Sequence, residues 1–199
     1  MKFALFLIAC IVVYTSPLFA QSWNDDQIQI ADQARDISYL SDAEKDAIKY
    51  INLCRMYPRE FAEIEVKRYE IDSLYWMEAL RAHAESKQSL IRQLETQKEA
   101  ERLSFDEQLF EDAKCYAAEI SKNERRGHER KDCPSTIRHA ECLSFGMATG
   151  KEIVFQWLLD TGVASLGHRM ICLDPKYRKI AIKAEPHFQW EQCAVGEFN

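Results

Sequence analysis

The stretch Thr149-Gly150-Lys151-Glu152-Ile153-Val154-Phe155-Gln156-Trp157-Leu158-Leu159-Asp160, with Ser165-Leu166-Gly167-His168-Arg169 just beyond it, decides how the rest of the chain is read. Thr149 and Glu152 make a capping box, in which hydroxyl and carboxylate satisfy orphan amides of a first helical turn. Ile153, Val154, Trp157 and Leu158 then share one face, so the pattern predicts a helix of about three turns. That helix closes on Asp160, where the negative end of the macrodipole prefers a cation. Asp160 therefore calls for a positive partner, and a histidine, an arginine or a metal ion would serve. Gly162 and Gly167 leave the intervening loop free to turn back and bring His168 and Arg169 to it.

Outward from this helix, His139 to Phe145 reads as a short strand. Arg178 to Ala184 and Phe188 to Val195 read as an antiparallel hairpin turning around Pro186. Toward the N-terminus, after a polar lead-in, Ser41-Asp42-Ala43-Glu44 is a second capping box, and Pro58 stops its helix near Tyr57. Arg59 to Leu103 holds neither Gly nor Pro and carries Leu74, Met77, Leu80, Ala84, Leu90, Ile91 and Leu94 at helical spacing, a helical stretch with one or two breaks. Ser104-Phe105-Asp106-Glu107 reads as a third capping box, opening an amphipathic helix through Leu109, Ala113, Tyr116, Ala117 and Ile120.

The chain has 199 residues, enough for one full core, and 47% hydrophobic content excludes a disordered chain. A net charge of −6 argues against nonspecific nucleic-acid binding. Lys2, the apolar run Phe3 to Tyr14 and the small residue Ala20 before Gln21 read as a secretory signal over residues 1–20. The run is too short for a membrane anchor, and no second run of that length follows. Leu7-Ile8-Ala9-Cys10 resembles a lipobox, an alternative route of processing. The expected destination is extracellular or periplasmic. Removal of the signal leaves six cysteines, Cys54, Cys115, Cys133, Cys142, Cys172 and Cys193, a count that suggests disulfides in an exported chain. Cys133 with Cys142 and Cys172 with Cys193 are the easiest pairs to close in sequence.

Three places could carry chemistry: Gly127-His128-Glu129-Arg130, Glu141 on its strand, and Asp160 with Gly167-His168-Arg169. Two histidines and two carboxylates converging in a cleft would suit a divalent cation such as zinc, or general acid/base work. Taken singly, His128 also reads as one more surface residue in a charged run, and Glu141 as a solvent-facing strand residue. Ser165 does not sit in a nucleophile elbow, because Gly162 to Gly167 is one residue too long and follows a helix. There is no His-Glu-x-x-His and no glycine-rich phosphate loop.

Gly127-His128, Ala140-Glu141-Cys142-Leu143, Trp157-Leu158 with Asp160, and Ser165-Leu166-Gly167-His168-Arg169 together resemble the CAP superfamily, the cysteine-rich secretory, antigen 5 and pathogenesis-related domain, in its bacterial form. Asn52-Leu53-Cys54-Arg55 is similar to the Asn-x-x-Arg of that family's first helix, and Phe188 to Gln192 to its closing strand. The resemblance implies an α+β fold, a three-layer α/β/α sandwich with an antiparallel sheet. It covers a single domain over residues 41–199, with an extra helical insertion at about 60–103. It further implies a cleft in which His128, Glu141, Asp160 and His168 hold a divalent cation, zinc or magnesium, supported by Gly167 and Arg169. The family's Gly-Glu-Asn is here Ala140-Glu141-Cys142 and its Asn-Ile-Leu is Ile171-Cys172-Leu173, so a Cys142–Cys172 bridge rivals the neighbour pairings. Family members are described as lipid or sterol binders, secreted defence proteins and proteases. The expectation is a non-enzymatic binding module for a lipid or protein ligand. The alternatives are a metal-dependent hydrolase with Glu141 or Asp160 as base, and a disulfide-stabilised interaction scaffold.

Overall fold

The computed structural model describes residues 22–70, 77–123, 127–135 and 139–199. Residues 1–20, read above as an export signal, Cys10 among them, and Leu74 lie outside the described residues, as do the side chains of Met77 and Leu80. The fold is mixed α/β, with α1 (Asp25–Ala31), α2 (Asp42–Met56), α3 (Pro58–Phe61), a π-helical turn (Ala62–Val66), α4 (Met77–Thr96) and β1 (Ser104–Phe105) in the first half. Then come α5 (Glu107–Ile120), β2 (Ala140–Phe145), α6 (Gly150–Leu159), α7 (Gly167–Leu173), β3 (Lys179–His187) and β4 (Glu191–Phe198). The four strands run β1-β3-β4-β2, with β1 parallel to β3 and the other pairs antiparallel. The sheet is therefore mixed, where an antiparallel one was expected.

Both outer capping boxes form as read. Ser41 Oγ accepts from Glu44 N while Glu44 returns a bond to Ser41 N, and Thr149 and Glu152 do the same for α6. Glu44 also accepts from Ala184 N at 2.9 Å, which ties the start of α2 to β3. The middle box does not form. Ser104 and Asp106 donate backbone N–H groups to Arg178 O and Ile180 O, so this segment becomes a short strand, and Asp106 caps α5 two residues later. The hairpin turn lies at 188–190 rather than at Pro186, which pairs with Gln192 inside β3. Beyond Ile180 the other edge of β3 has no partner strand among the described residues, so a missing proline N–H breaks no ladder bond there.

The supposed lead-in belongs to the core. Ala31 and Ala34 are fully buried, and the Asn52 side chain donates to Ala31 O at 3.0 Å and Leu103 O at 3.1 Å while accepting from Leu103 N at 2.7 Å. Arg55, one turn on, donates to the carbonyls of Glu101, Cys172, Asp174 and Tyr177. Thus the Asn-x-x-Arg pair is a buried clamp that holds three distant segments to α2.

Helices cover both faces of the sheet. Residues alternate across a strand: Leu143, Cys193 and Val195 pack with Ala113, Tyr116 and Ile120 of α5, whereas Cys142, Ala194 and Phe198 join α2, α6 and α7. This alternation overturns both neighbour pairings of cysteines, because Cys133 and Cys193 lie on the α5 side and Cys142 and Cys172 on the other. Cys133 is bridged to Cys115 instead, and Cys54, Cys142, Cys172 and Cys193 are buried thiols. Burial pushes the Cys142 thiol well up, and contact with the Cys172 thiol adds to it. No described helix is long and apolar enough to cross a membrane.

Trp157 fixes the register between α6 and the sheet. Its indole N–H donates to Leu143 O at 2.8 Å, and its ring occupies the space over Gly196, where a Cβ would lie 2.6 Å from Cη2. Gly196→Ala is expected to cost about 1–3 kcal/mol by overpacking. In a Trp157→Phe background the same change should cost clearly less. Urea unfolding of the four-member cycle measures this, and equal penalties in both backgrounds would refute the contact.

Candidate functional site

Asp160 ends α6 in the left-handed conformation, φ 50° and ψ 40°, and so turns its carboxylate away from the negative end of its own helix. It accepts instead from the first amides of α7, His168 N at 2.9 Å and Arg169 N at 3.4 Å, and from His168 Nδ1 at 2.7 Å. The cation that the end of α6 prefers is Arg169. Its buried guanidinium donates to Leu158 O at 2.5 Å and Leu159 O at 3.0 Å. The far side of Arg169 reaches Ser89 Oγ at 3.1 Å and Ser86 O at 3.3 Å, both on α4. The expected positive partners of Asp160 are therefore present and divided between two helix ends. Gly162 makes its turn at φ 84°, but Leu166, not Gly167, takes the second left-handed position, and Gly167 simply begins α7.

His128 comes from the loop between α5 and β2, which is pinned to α5 in three ways. Tyr116 donates its hydroxyl to Gly127 O at 2.5 Å, Glu119 accepts from the backbone of Lys131, Asp132 and Cys133, and the Cys115–Cys133 bridge closes the loop. Held there, His128 Nδ1 lies 2.6 Å from Glu141 Oε1. The centroids of the His128 and His168 rings are 6.5 Å apart. Hence the four residues come together as two histidine–carboxylate pairs. The carboxylates are buried, with Glu141 8% and Asp160 1% exposed, while His128 is 58% and His168 23% exposed. A carboxylate on Nδ1 selects the tautomer that leaves Nε2 as the outward lone pair, the arrangement that commonly orients a metal-binding imidazole.

A second layer of charge lies behind Glu141. The β2–β4 register places Glu141 directly opposite Glu197, which is fully buried. Arg130 bridges them, ion-paired to Glu141, to Glu197 and, at 3.0 Å, to Asp112 of α5, with its guanidinium 4.3 Å above the Tyr116 ring. His139 Nε2 lies 2.9 Å from Glu197 Oε2 and 3.7 Å from Asp112 Oδ2. These last three atoms lie within 4.8 Å of one another, a buried Asp/His/Glu group of the right types and spacing to hold a metal ion. A cavity of about 430 Å³ opens over the cluster, lined by His128, Arg130, Ser135, His139 and Glu141.

Asp112, His139 and Glu197 escaped the sequence reading. One signal was available: in Cys193-Ala194-Val195-Gly196-Glu197-Phe198, alternation puts Glu197 on the same buried face as Cys193 and Val195. His139, two residues before Glu141, shares its face for the same reason. No family model matches the chain, and no curated protein does either.

Charge and burial set opposing proton affinities here. Burial pushes Glu197 from its ordinary 4.5 to about 7, partly opposed by His139 and reinforced by the Glu141 charge. The hydrogen bonds to Glu141 and Glu197 raise His128 and His139. Burial works upward on Glu141 too, but His128 and Arg130 outweigh it and hold this carboxylate below its ordinary value. A raised folded value gives stability that is complete below the unfolded value and lost as pH rises through the folded one. Stability should therefore decline as pH rises from about 5 through about 7, and Glu197→Gln should flatten that decline. Urea midpoints measured across this range give the slope; an unchanged slope in Glu197→Gln refutes the assignment.

Proposed function

We propose that the chain is an exported CAP-like domain that works as a non-enzymatic binding module, with a cation held in the cleft between His128 and His168. The observation that carries this reading is the pairing itself: two partly exposed imidazoles, each oriented through Nδ1 by a buried carboxylate, brought within 6.5 Å from a loop and a helix start 40 residues apart in sequence. The donor set fits a borderline divalent ion, for which imidazole is a preferred ligand. His128 and His168 would hold the ion, and Glu141 and Asp160 would orient them. When bound, the ion would supply a fixed positive charge to a polar ligand in the cleft.

Supporting the fold reading, helices on both faces of the sheet are what a three-layer α/β/α sandwich of that family requires. The helical insertion also gains a role, since α4 supplies Ser86 and Ser89 to the Arg169 that backs the cleft. The Cys115–Cys133 bridge suits an oxidising compartment and so favours export. The polar lining of the cavity favours a protein side chain or a polar head group over an acyl chain as ligand. Binding is favoured over hydrolysis because Glu141 and Asp160 are buried and engaged by histidine and by Arg130 or backbone amides. Neither is poised to take a proton from substrate.

Zn²⁺ titration of the purified protein by calorimetry tests the cleft. His128→Ala and His168→Ala should each remove one bound equivalent. Asp160→Asn should weaken that equivalent about 10- to 100-fold by releasing the ring it orients. Full retention of Zn²⁺ by both histidine variants would overturn the reading.

A further inference from the structure

We propose that Asp112, His139 and Glu197 form a second cation site, buried behind the cleft, which takes a borderline divalent ion such as Zn²⁺ in competition with the Arg130 guanidinium. The proposal does not depend on the cleft reading, because none of its three ligands belongs to the His128/Glu141 or Asp160/His168 pairs.

Each ligand sits on a different part of the framework: Asp112 on α5, His139 at the entry to β2 and Glu197 on β4. Their side chains are 12%, 9% and 0% exposed. Asp112 Oδ2 and Glu197 Oε2 are buried and both face His139 Nε2. Their contacts are all to cationic side chains: Arg130 Nη1 at 3.0 Å and His139 Nε2 at 3.7 Å for Asp112, and His139 Nε2 at 2.9 Å for Glu197. Two acceptor oxygens and one imidazole nitrogen converging on a common point form a three-ligand set of the kind zinc accepts. Ser135 Oγ lies 3.1 Å from His139 Nδ1, the position from which an outer partner fixes the tautomer of a ligating histidine.

Charge balance points the same way. Asp112, Glu141 and Glu197 all contact Arg130, so three carboxylates share one permanently charged side chain. His128 on Glu141 and His139 on Glu197 complete the balance, and a divalent ion on Asp112, His139 and Glu197 would replace the positive charge that His139 gives up as a ligand. Arg130 need not leave the site when the ion enters. Its contacts to Glu141 and to the Tyr116 ring can persist while Asp112 and Glu197 pass to the ion.

The test uses the full protein carrying His128→Ala and His168→Ala, so that the cleft no longer contributes, with Co²⁺ as a spectroscopic probe and Zn²⁺ as competitor. One equivalent of Co²⁺ should still bind with visible d–d absorption, and Zn²⁺ should displace it. Adding Asp112→Asn or Glu197→Gln, both of unchanged shape, should weaken that binding at least 10-fold. Adding Arg130→Met should instead tighten it and enlarge the Zn²⁺-induced rise in Tm, a gain that misfolding does not produce. Absence of Co²⁺ binding in the double-histidine variant would overturn the proposal, and so would binding indifferent to Asp112→Asn and Glu197→Gln. Failure of the cleft reading would be seen separately, as a double-histidine variant that keeps every equivalent of the wild type.

Discussion

Two glutamates face each other across neighbouring strands on a buried face of the sheet, and the site is built around the need to compensate them. Glu141 and Glu197 are register partners in a ladder that runs unbroken from Ala140↔Phe198 to Phe145↔Cys193. A buried charge left without a partner costs several kcal/mol, so this face must receive cations from elsewhere in the chain. Arg130 reaches in from the α5–β2 loop, His128 closes over Glu141, and His139 stands beside Glu197. The fastening of that loop to α5 by Tyr116, Glu119 and the Cys115–Cys133 bridge follows from the same need, because a loose loop would pay ordering entropy to deliver Arg130. A one-residue slip in the β2–β4 register would send one of the two glutamates to the apolar face under Trp157 and part it from the other. Register and electrostatics therefore enforce one another.

The other half of the cleft is set by helix ends rather than by strands. The last turn of α6 and the first of α7 meet at Asp160 and Arg169, each satisfying the terminus that its charge suits. Trp157 anchors α6 against Gly196, so the position of Asp160, and through it of His168, is inherited from the packed core. Arg55 extends this chain of dependence by holding the carbonyl of Cys172 at the end of α7. His128 and His168 are thus held by rigid supports and remain partly exposed themselves.

How much of this could be read beforehand depended on whether the determinant was local. Capping boxes at Ser41 and Thr149, the stop before Pro58, the β2 strand and the β3–β4 hairpin follow from interactions within a few residues. His128, Glu141, Asp160 and His168 lie in short motifs, and the structure brings them together as two histidine–carboxylate pairs. Ser104 misled because its backbone is recruited by β3, a partner more than 70 residues away, and Asp106 offered an equally good cap. The burial of Ala31 and Ala34 was hidden because it rests on Asn52, which binds segments 21 and 51 residues distant. Disulfide pairing failed on the same ground. Proximity in sequence says nothing about sheet faces, and the faces separate Cys133 from Cys142 and Cys172 from Cys193.

Asp112, Glu197 and Arg130 show the limit most clearly: the first two have no motif, and Arg130 stands only at the end of Gly127-His128-Glu129-Arg130. Asp112 is one acid among many on an amphipathic helix, and Arg130 one base in a charged run. Only Glu197 breaks a local pattern, as the one carboxylate in the otherwise apolar run from Cys193 to Phe198. A buried glutamate in such a strand carries information precisely because the pattern cannot explain it: hydrophobic burial alone would replace it with an apolar residue at no loss of packing. Its place beside Glu141 puts the reason in the charges it gathers. In this protein those charges join the sheet, α5 and the cleft loop into one electrostatic unit.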